Sequence, residues 1–144
     1  MYYKTPKVLP DIDHDAVGRA ALLAKADLVT AMVGEFPRLQ GIMGRHYALA
    51  EGQPADVAEA IAEHYAPRSA EGALPATPTG ALLSLAEKFD SLVACFCVGL
   101  APTGSQDPYA LRRQTAGIIR ILLDRSWRIS LSRIITKAKG PLPI

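Results

Sequence analysis

Apolar residues recur at helical spacing along most of the chain, and no segment keeps up a strict alternation of apolar and polar positions. This period predicts α-helices and no β-sheet. The predicted fold class is therefore all-α, a single helical bundle of five to seven helices. The predicted helices span about residues 13–36, 39–50, 54–66, 79–98, 108–125 and 131–137.

The segment 20–36 is apolar on nearly every side of a helical wheel. A helix of this kind is normally central and buried, so Asp27 within it requires a partner for its carboxylate. Pro37 ends the helix, because proline disfavours the α conformation at the preceding residue. Glycines cluster around this junction and indicate a close approach of two backbone segments, at Gly34, Gly41 and Gly44.

The composition sets broad limits on function. A chain of 144 residues with 49% apolar residues and a net charge of +2 is expected to form one domain with a substantial core. After Gly104 the sequence is strongly basic, although the net charge alone does not indicate nucleic acid. Cys95 and Cys97 are two residues apart on one predicted helix, so we expect free thiols in a cytoplasmic, reducing setting. No membrane segment is predicted.

Several motifs in order resemble the β subunit of bacterial tetrameric glycyl-tRNA synthetase. The resemblance covers roughly residues 18–135 and has its longest motif at Lys25–Ala48, KADLVTAMVGEFPRLQGIMGRHYA. The other motifs are VAEAIAEHYAPR at 57–68, ALPATP at 73–78, LAEKFDSLV at 85–93, VGLAPTGSQDPYALRR at 98–113 and GIIRILLDR at 117–125. In that family the region is a helical domain similar to the HD phosphohydrolase fold, and it precedes the anticodon-binding domain.

The resemblance implies a degenerate HD-like helical domain at residues 14–138, between an extended arm at 1–13 and a tail at 139–144. It implies a noncatalytic part of a glycine–tRNA ligase that supports tRNA binding and subunit architecture. The partners would be tRNA, the α subunit and the rest of the β subunit, with no membrane and no DNA. ATP and Mg²⁺ would serve the catalytic α subunit, so no cofactor is expected in this chain. Whether the chain is an excised piece or a free-standing relative stays open.

An active HD-type phosphohydrolase is an alternative function. Such enzymes bind a metal ion through a histidine, an adjacent His-Asp pair and a later aspartate, a ligand set suited to activating water. The resemblance places the pair at Ala26-Asp27, where the histidine is missing, and the later aspartate at Glu87. His46 and His64 suit surface or packing positions equally well, and His14-Asp15 falls in the turn that enters the first helix. The sequence therefore predicts no metal site.

The carboxylates of Asp27 and Glu87 are predicted to be structural instead. Their helices would be neighbours in an HD-like fold. Each carboxylate could then pair with a cation, because a buried charge needs a partner. The candidate cations are Lys25, Arg45 and Lys88, so the predicted structural charged cluster comprises Asp27, Glu87, Arg45 and Lys88.

The stretch PTGSQDPYALRR at 102–113 leaves two interpretations open. One is a helix start capped by Asp107 and packed on the core; the other is a loop that positions RNA or the partner subunit. A glycine-containing loop before a helix can also hold phosphate. However, Asp107 would repel an anion there, and the P-loop pattern is absent.

Arginines with interleaved aromatic residues follow this loop, a combination that can contact the RNA backbone and stacked bases. The RNA-contact candidates are Arg112, Arg113, Arg120 and Tyr109, with Trp127 as a further aromatic residue. Arg112 and Arg113 rank first, because they fall inside a matched motif. The alternatives are a simple solvated helix face and a pure protein-interaction module that does not contact RNA.

Overall fold

The structure, a computed structural model, describes residues 12–140. These residues form seven α-helices and two 3-10 helices. Extended pairing in this part of the chain is limited to an isolated bridge between Thr103 and Gln106. The all-α prediction is confirmed. Most of the predicted N-terminal arm and C-terminal tail lies outside the described residues.

The described chain divides into two compact units, residues 12–85 and residues 86–140. The first contains α1 (His14–Leu23), α2 (Ala31–Glu35), α3 (Ile42–Ala50) and α4 (Ala55–Glu63). The second contains α6 (Leu111–Arg125) and α7 (Leu131–Lys139). The long helix α5 (Pro78–Cys97) contributes its first half to one unit and its second half to the other.

In the first unit, α4 packs against both α1 and α3. Small side chains allow the helices to approach closely, and Ala20, Ala58 and Ala60 are completely buried there. Ile61 fills the space between them and is 1% exposed. The start of α1 follows the prediction, because the Asp13 carboxylate accepts hydrogen bonds from the amides of Asp15 and Ala16.

The helix predicted over residues 13–36 is broken into three elements. The helix α1 ends at Leu23, and Lys25 takes the left-handed conformation with φ 67°. A 3-10 helix at Ala26–Val29 follows, and Thr30 then caps the short helix α2. A left-handed residue cannot continue an α-helix, so Lys25 fixes the break.

The expectation that this apolar segment is buried is also wrong. Leu22 is 73% exposed, Val29 90% and Phe36 54%. Because the chain turns twice within the segment, only some of its apolar side chains meet the α4 core. The apolar pattern on the helical wheel assumed a single axis, which the structure does not have.

In the second unit, buried apolar residues come from the second half of α5, from α6 and from the segment that follows α6: Phe89, Val93, Leu111, Ile118, Ile121 and Trp127. The helix α6 begins at Leu111, three residues after the predicted start at Pro108. Tyr109 and Ala110 still belong to the preceding turn, since Ala110 has a left-handed φ of 52°. Cys95 and Cys97 are free thiols in α5.

Candidate functional site

The loop before α6 is a tight, internally bonded turn. Thr103 and Gln106 exchange two backbone hydrogen bonds of 3.2 and 2.9 Å. Gly104 lies between them with φ 53°, a conformation that favours glycine. The loop at the beginning of α6 is therefore held in one shape by its own backbone.

Asp107 joins this turn to the helix. Its Oδ1 accepts a hydrogen bond from the Leu111 amide at 2.7 Å, and its Oδ2 accepts one from the Arg112 amide at 2.9 Å. The carboxylate therefore satisfies two amides that would otherwise be open at the helix N-terminus. Asp107 thus closes the helix start, but it does so from three residues before the N-cap position, which Ala110 occupies. A phosphate would have to displace Asp107 to bind these amides.

Three of the four RNA-contact candidates are exposed around this capped start. Tyr109 is 50% exposed, and Arg112 and Arg113 are exposed on the first turn of α6. The Arg112 Nη2 donates a hydrogen bond to the Gly104 carbonyl at 2.6 Å, which ties its guanidinium to the turn. Arg113 and Arg120 lie seven residues apart on α6. They therefore share one face of the helix and are separated by about 10 Å along its axis. Arg120 is partly buried.

Trp127 does not belong to this exposed set. It is 8% exposed, and its backbone amide donates to the Leu122 carbonyl just after α6 ends. It is a core residue, so its predicted role as an aromatic beside the arginines is wrong. Sequence spacing alone could not distinguish the two roles, because Trp127 is flanked by polar residues.

Asp27 lies in the 3-10 helix Ala26–Val29 and is 2% exposed. Its Oδ2 accepts hydrogen bonds from the backbone amides of Gly41 at 2.6 Å and Gly44 at 3.1 Å. These amides lie at the start of α3, where the helix dipole favours a negative charge. The prediction of a cation partner for Asp27 is therefore corrected: the carboxylate binds peptide N–H groups instead.

The other members of the predicted charged cluster have their own surroundings. Arg45 donates from Nε to the Glu59 carboxylate at 2.5 Å, a partly exposed pair that links α3 to α4. Glu87 and Lys88 are neighbours in α5. The partner of Arg45 is thus Glu59, which the sequence interpretation had not considered.

Lys88 is 5% exposed, and burial lowers its pKa to about 8, while the Glu87 carboxylate acts in the opposite direction. The unfolded chain binds this proton up to about pH 10.5. Between pH 8 and 10.5 the unfolded state therefore holds more protons than the folded state, and stability rises with pH. We expect this rise to disappear in Lys88→Met. Urea denaturation of both proteins at pH 7.5 and 9.5 measures it, and equal pH dependence would contradict the burial of the charged amine.

The histidines considered as metal ligands lie in different surroundings. His64 is 1% exposed, and its Nδ1 lies 2.6 Å from the Ile61 carbonyl, while its ring packs on Tyr65. His46 is on the exposed face of α3. Among residues 12–140, no three His, Cys, Asp or Glu side chains lie close enough to hold a metal ion together.

The sequence interpretation missed one carboxylate with a structural role. Glu63, the last residue of α4, accepts hydrogen bonds from the amides of Ala76 and Thr77 and from the Thr77 hydroxyl. It thereby fastens the proline-rich loop just before α5. No local sequence signal identifies this role, because the bound amides lie 13 and 14 residues further along the chain.

Comparison with known proteins gives a consistent picture. The family model for the glycyl-tRNA synthetase β subunit matches residues 4–142. The glycine–tRNA ligase β subunit of Geobacter sulfurreducens is 62% identical over 134 residues, which is 90% of this chain and 20% of the relative. That of Geobacter metallireducens is 60% identical over 126 residues, 88% of this chain and 18% of the relative. That of Myxococcus xanthus is 59% identical over 122 residues, 85% of this chain and 17% of the relative.

The chain spans about a fifth of the length of these curated relatives. In residues 12–140, no helix combines the length and apolar character needed to cross a membrane. The match to the family model extends over nearly the whole chain, and the relatives share well over half of its residues across that region. The chain therefore belongs to the glycyl-tRNA synthetase β-subunit family.

Proposed function

We propose that this chain acts as a noncatalytic helical domain of a cytoplasmic glycine–tRNA ligase, where it contributes to tRNA binding and to the architecture of the β subunit. The observation that carries the proposal is the exposed pair Arg112 and Arg113 on a rigid, capped turn. Membership of the glycyl-tRNA synthetase β-subunit family supplies the context.

The chemistry of this turn suits RNA. A guanidinium group presents several donors in one plane and binds phosphate oxygens in pairs. Tyr109 is half exposed beside the arginines and offers a ring on which a base can stack. Because Asp107 holds the backbone at the helix start and the Gly104 carbonyl holds the Arg112 guanidinium, these groups lose little conformational entropy on binding.

The same proposal assigns different roles to the two subunits of the enzyme. Amino-acid activation, which uses ATP and Mg²⁺, would belong to the α subunit. This domain would bind no cofactor and would contact tRNA together with the rest of the β subunit. Its affinity for tRNA in isolation is expected to be weak, because the chain is a small part of its relatives' length and carries a net charge of only +2.

The test is a titration of the purified chain with a glycine tRNA transcript at several salt concentrations, read by fluorescence anisotropy. Each phosphate neutralised contributes a slope of about 0.7–0.9 log units of affinity per log unit of salt. We expect Arg112→Ala/Arg113→Ala to weaken binding roughly tenfold and to flatten this slope by about one to two phosphates.

A charge-matched control separates a local contact from a general loss of charge. Arg19→Ala/Arg38→Ala removes two exposed arginines from the other compact unit and should change binding much less. Circular dichroism checks that both variants stay folded. The proposed contact is wrong if the double variant binds tRNA like the parent with the same salt slope. Absence of any binding by the parent at low salt would favour a role purely in protein contacts.

A further inference from the structure

The helix α7 has an apolar side that its own unit does not cover. Leu131, Ile134, Ile135 and Ala138 recur at helical spacing, yet none of the residues of α7 is buried. Leu131 is 46% exposed and Ile135 is 41% exposed. A helix of nine residues is marginal in water unless an apolar face is packed. This face is therefore a surface that further packing would stabilise.

The same face forms one wall of an apolar groove of about 330 Å³ within residues 86–140. The second half of α5 and the middle of α6 form the other walls. Phe96 is 57% exposed and Ile119 is 51% exposed at the groove. Most lining side chains are apolar; the polar ones are Thr115 and Lys139. Exposed aromatic and aliphatic groups concentrated in one groove are typical of a docking site.

The charges beside the groove specify the kind of partner. The helix α7 carries Arg133, Lys137 and Lys139 and no acidic residue. Lys139 lies at the groove itself, and Lys137 lies on the opposite flank of the apolar face. A partner with apolar side chains at its centre and carboxylates at its edges would match both features. The phosphates of an RNA strand could pair with the lysines at the edge of the groove. The polar groups of that strand would, however, lie against the phenylalanine and isoleucine side chains and lose their contact with water.

We propose that this groove binds an amphipathic α-helix with acidic flanks, supplied in the longer family proteins by another part of the same β-subunit polypeptide. Aliphatic side chains at positions i, i+3 or i+4, and i+7 would enter the groove, a common mode of helix recognition. The relatives provide ample polypeptide for this role, since the matched region is only 17–20% of their length. The inference is independent of the proposed tRNA contact, which uses the start of α6.

The test uses peptides of about 20 residues, long enough for several helical turns, that tile the remainder of the Geobacter sulfurreducens β subunit, each titrated against this chain. We expect at least one peptide with an aliphatic stripe and flanking carboxylates to bind saturably and to become helical on binding. Ile135→Asp should lower the affinity for that peptide at least tenfold. Lys137→Glu/Lys139→Glu should lower this affinity to a similar extent. Leu123→Asp is the matched control, because Leu123 is 74% exposed on α6 and lies outside the groove.

Amide hydrogen exchange gives a measurement that requires no substitution. The bound peptide should slow exchange in α7 of the unaltered chain, because packing its apolar face suppresses local opening. The proposal is overturned if no peptide binds, or if the peptides that bind are insensitive to Ile135→Asp and leave α7 exchange unchanged. It is also overturned if Ile135→Asp abolishes tRNA binding while peptide binding stays intact, since the groove would then serve RNA.

Discussion

Replacing Asp27 by alanine is expected to lower the free energy of unfolding by about 2–4 kcal/mol. The substitution removes the acceptor of two buried amides, those of Gly41 and Gly44, and each orphaned donor costs roughly 1–3 kcal/mol. It also removes a negative charge from the N-terminus of α3. Urea denaturation followed by circular dichroism measures the loss.

Two further variants test whether the lost hydrogen bonds cause the loss of stability in Asp27→Ala. Asp27→Asn keeps an oxygen that can accept from both amides, so we expect about half of the loss. Asp90→Ala removes an exposed carboxylate from α5 and should change stability by no more than about 0.5 kcal/mol. An unchanged denaturation midpoint for Asp27→Ala would contradict the burial and the hydrogen bonds of this carboxylate.

Replacing Gly44 by alanine is expected to destabilise the fold by about 1–3 kcal/mol. A Cβ atom at this position would lie 2.8 Å from Ile61 Cγ2 and 3.2 Å from Asp27 Oδ2. Both neighbours are themselves buried and held, so relief of the contact would disturb either the α3–α4 packing or the Asp27 hydrogen bonds. The same denaturation experiment measures the change.

Gly18→Ala is the matched control for this substitution. Gly18 is a helical glycine of α1, and a methyl group added there would have no heavy atom within 4 Å other than its own helix backbone. Alanine should therefore stabilise the helix at this position by about 0.5–1 kcal/mol. Opposite signs for the two variants would attribute the cost at Gly44 to close packing. A stabilising effect of Gly44→Ala would mean that α3 and α4 are farther apart than the structure places them.

These two residues explain why the segment Lys25–Ala48 has its unusual pattern. Asp27 and the glycines lie 14 and 17 residues apart in sequence, but a single carboxylate oxygen joins them. A side chain at Gly44 would interfere with that bond, and a glutamate at position 27 would place its carboxylate one methylene farther from the backbone. The acidic residue and the small residues therefore depend on each other.

Some apolar side chains of the same segment are exposed and do not take part in this packing. Val29 and Phe36 flank the Thr30 cap and the short helix α2, yet they are largely exposed. Exposed apolar side chains of this kind are candidates for contacts with other polypeptide. The groove at α7 is the more specific case, because its shape and charge together define the partner.

The sequence by itself determined the helical class and most helix positions, because apolar spacing, proline and capping residues act locally. In the structure Asp13 caps α1, Gly52 takes a left-handed conformation just after α3, and Pro54 directly precedes α4. The helix α5 lies almost where the period places it. The resemblance of its motifs also determined the family, which the comparisons confirm.

The tertiary structure alone decided the partners of the charged residues and which apolar side chains are buried. Asp27 binds backbone amides, Arg45 pairs with Glu59, and Trp127 enters the core. Each depends on residues far apart in sequence, or on a turn such as that at Lys25, which redirects the chain and changes which residues share a face. A helical wheel assumes one straight axis and identifies no distant neighbour, so these outcomes depend on the packed fold.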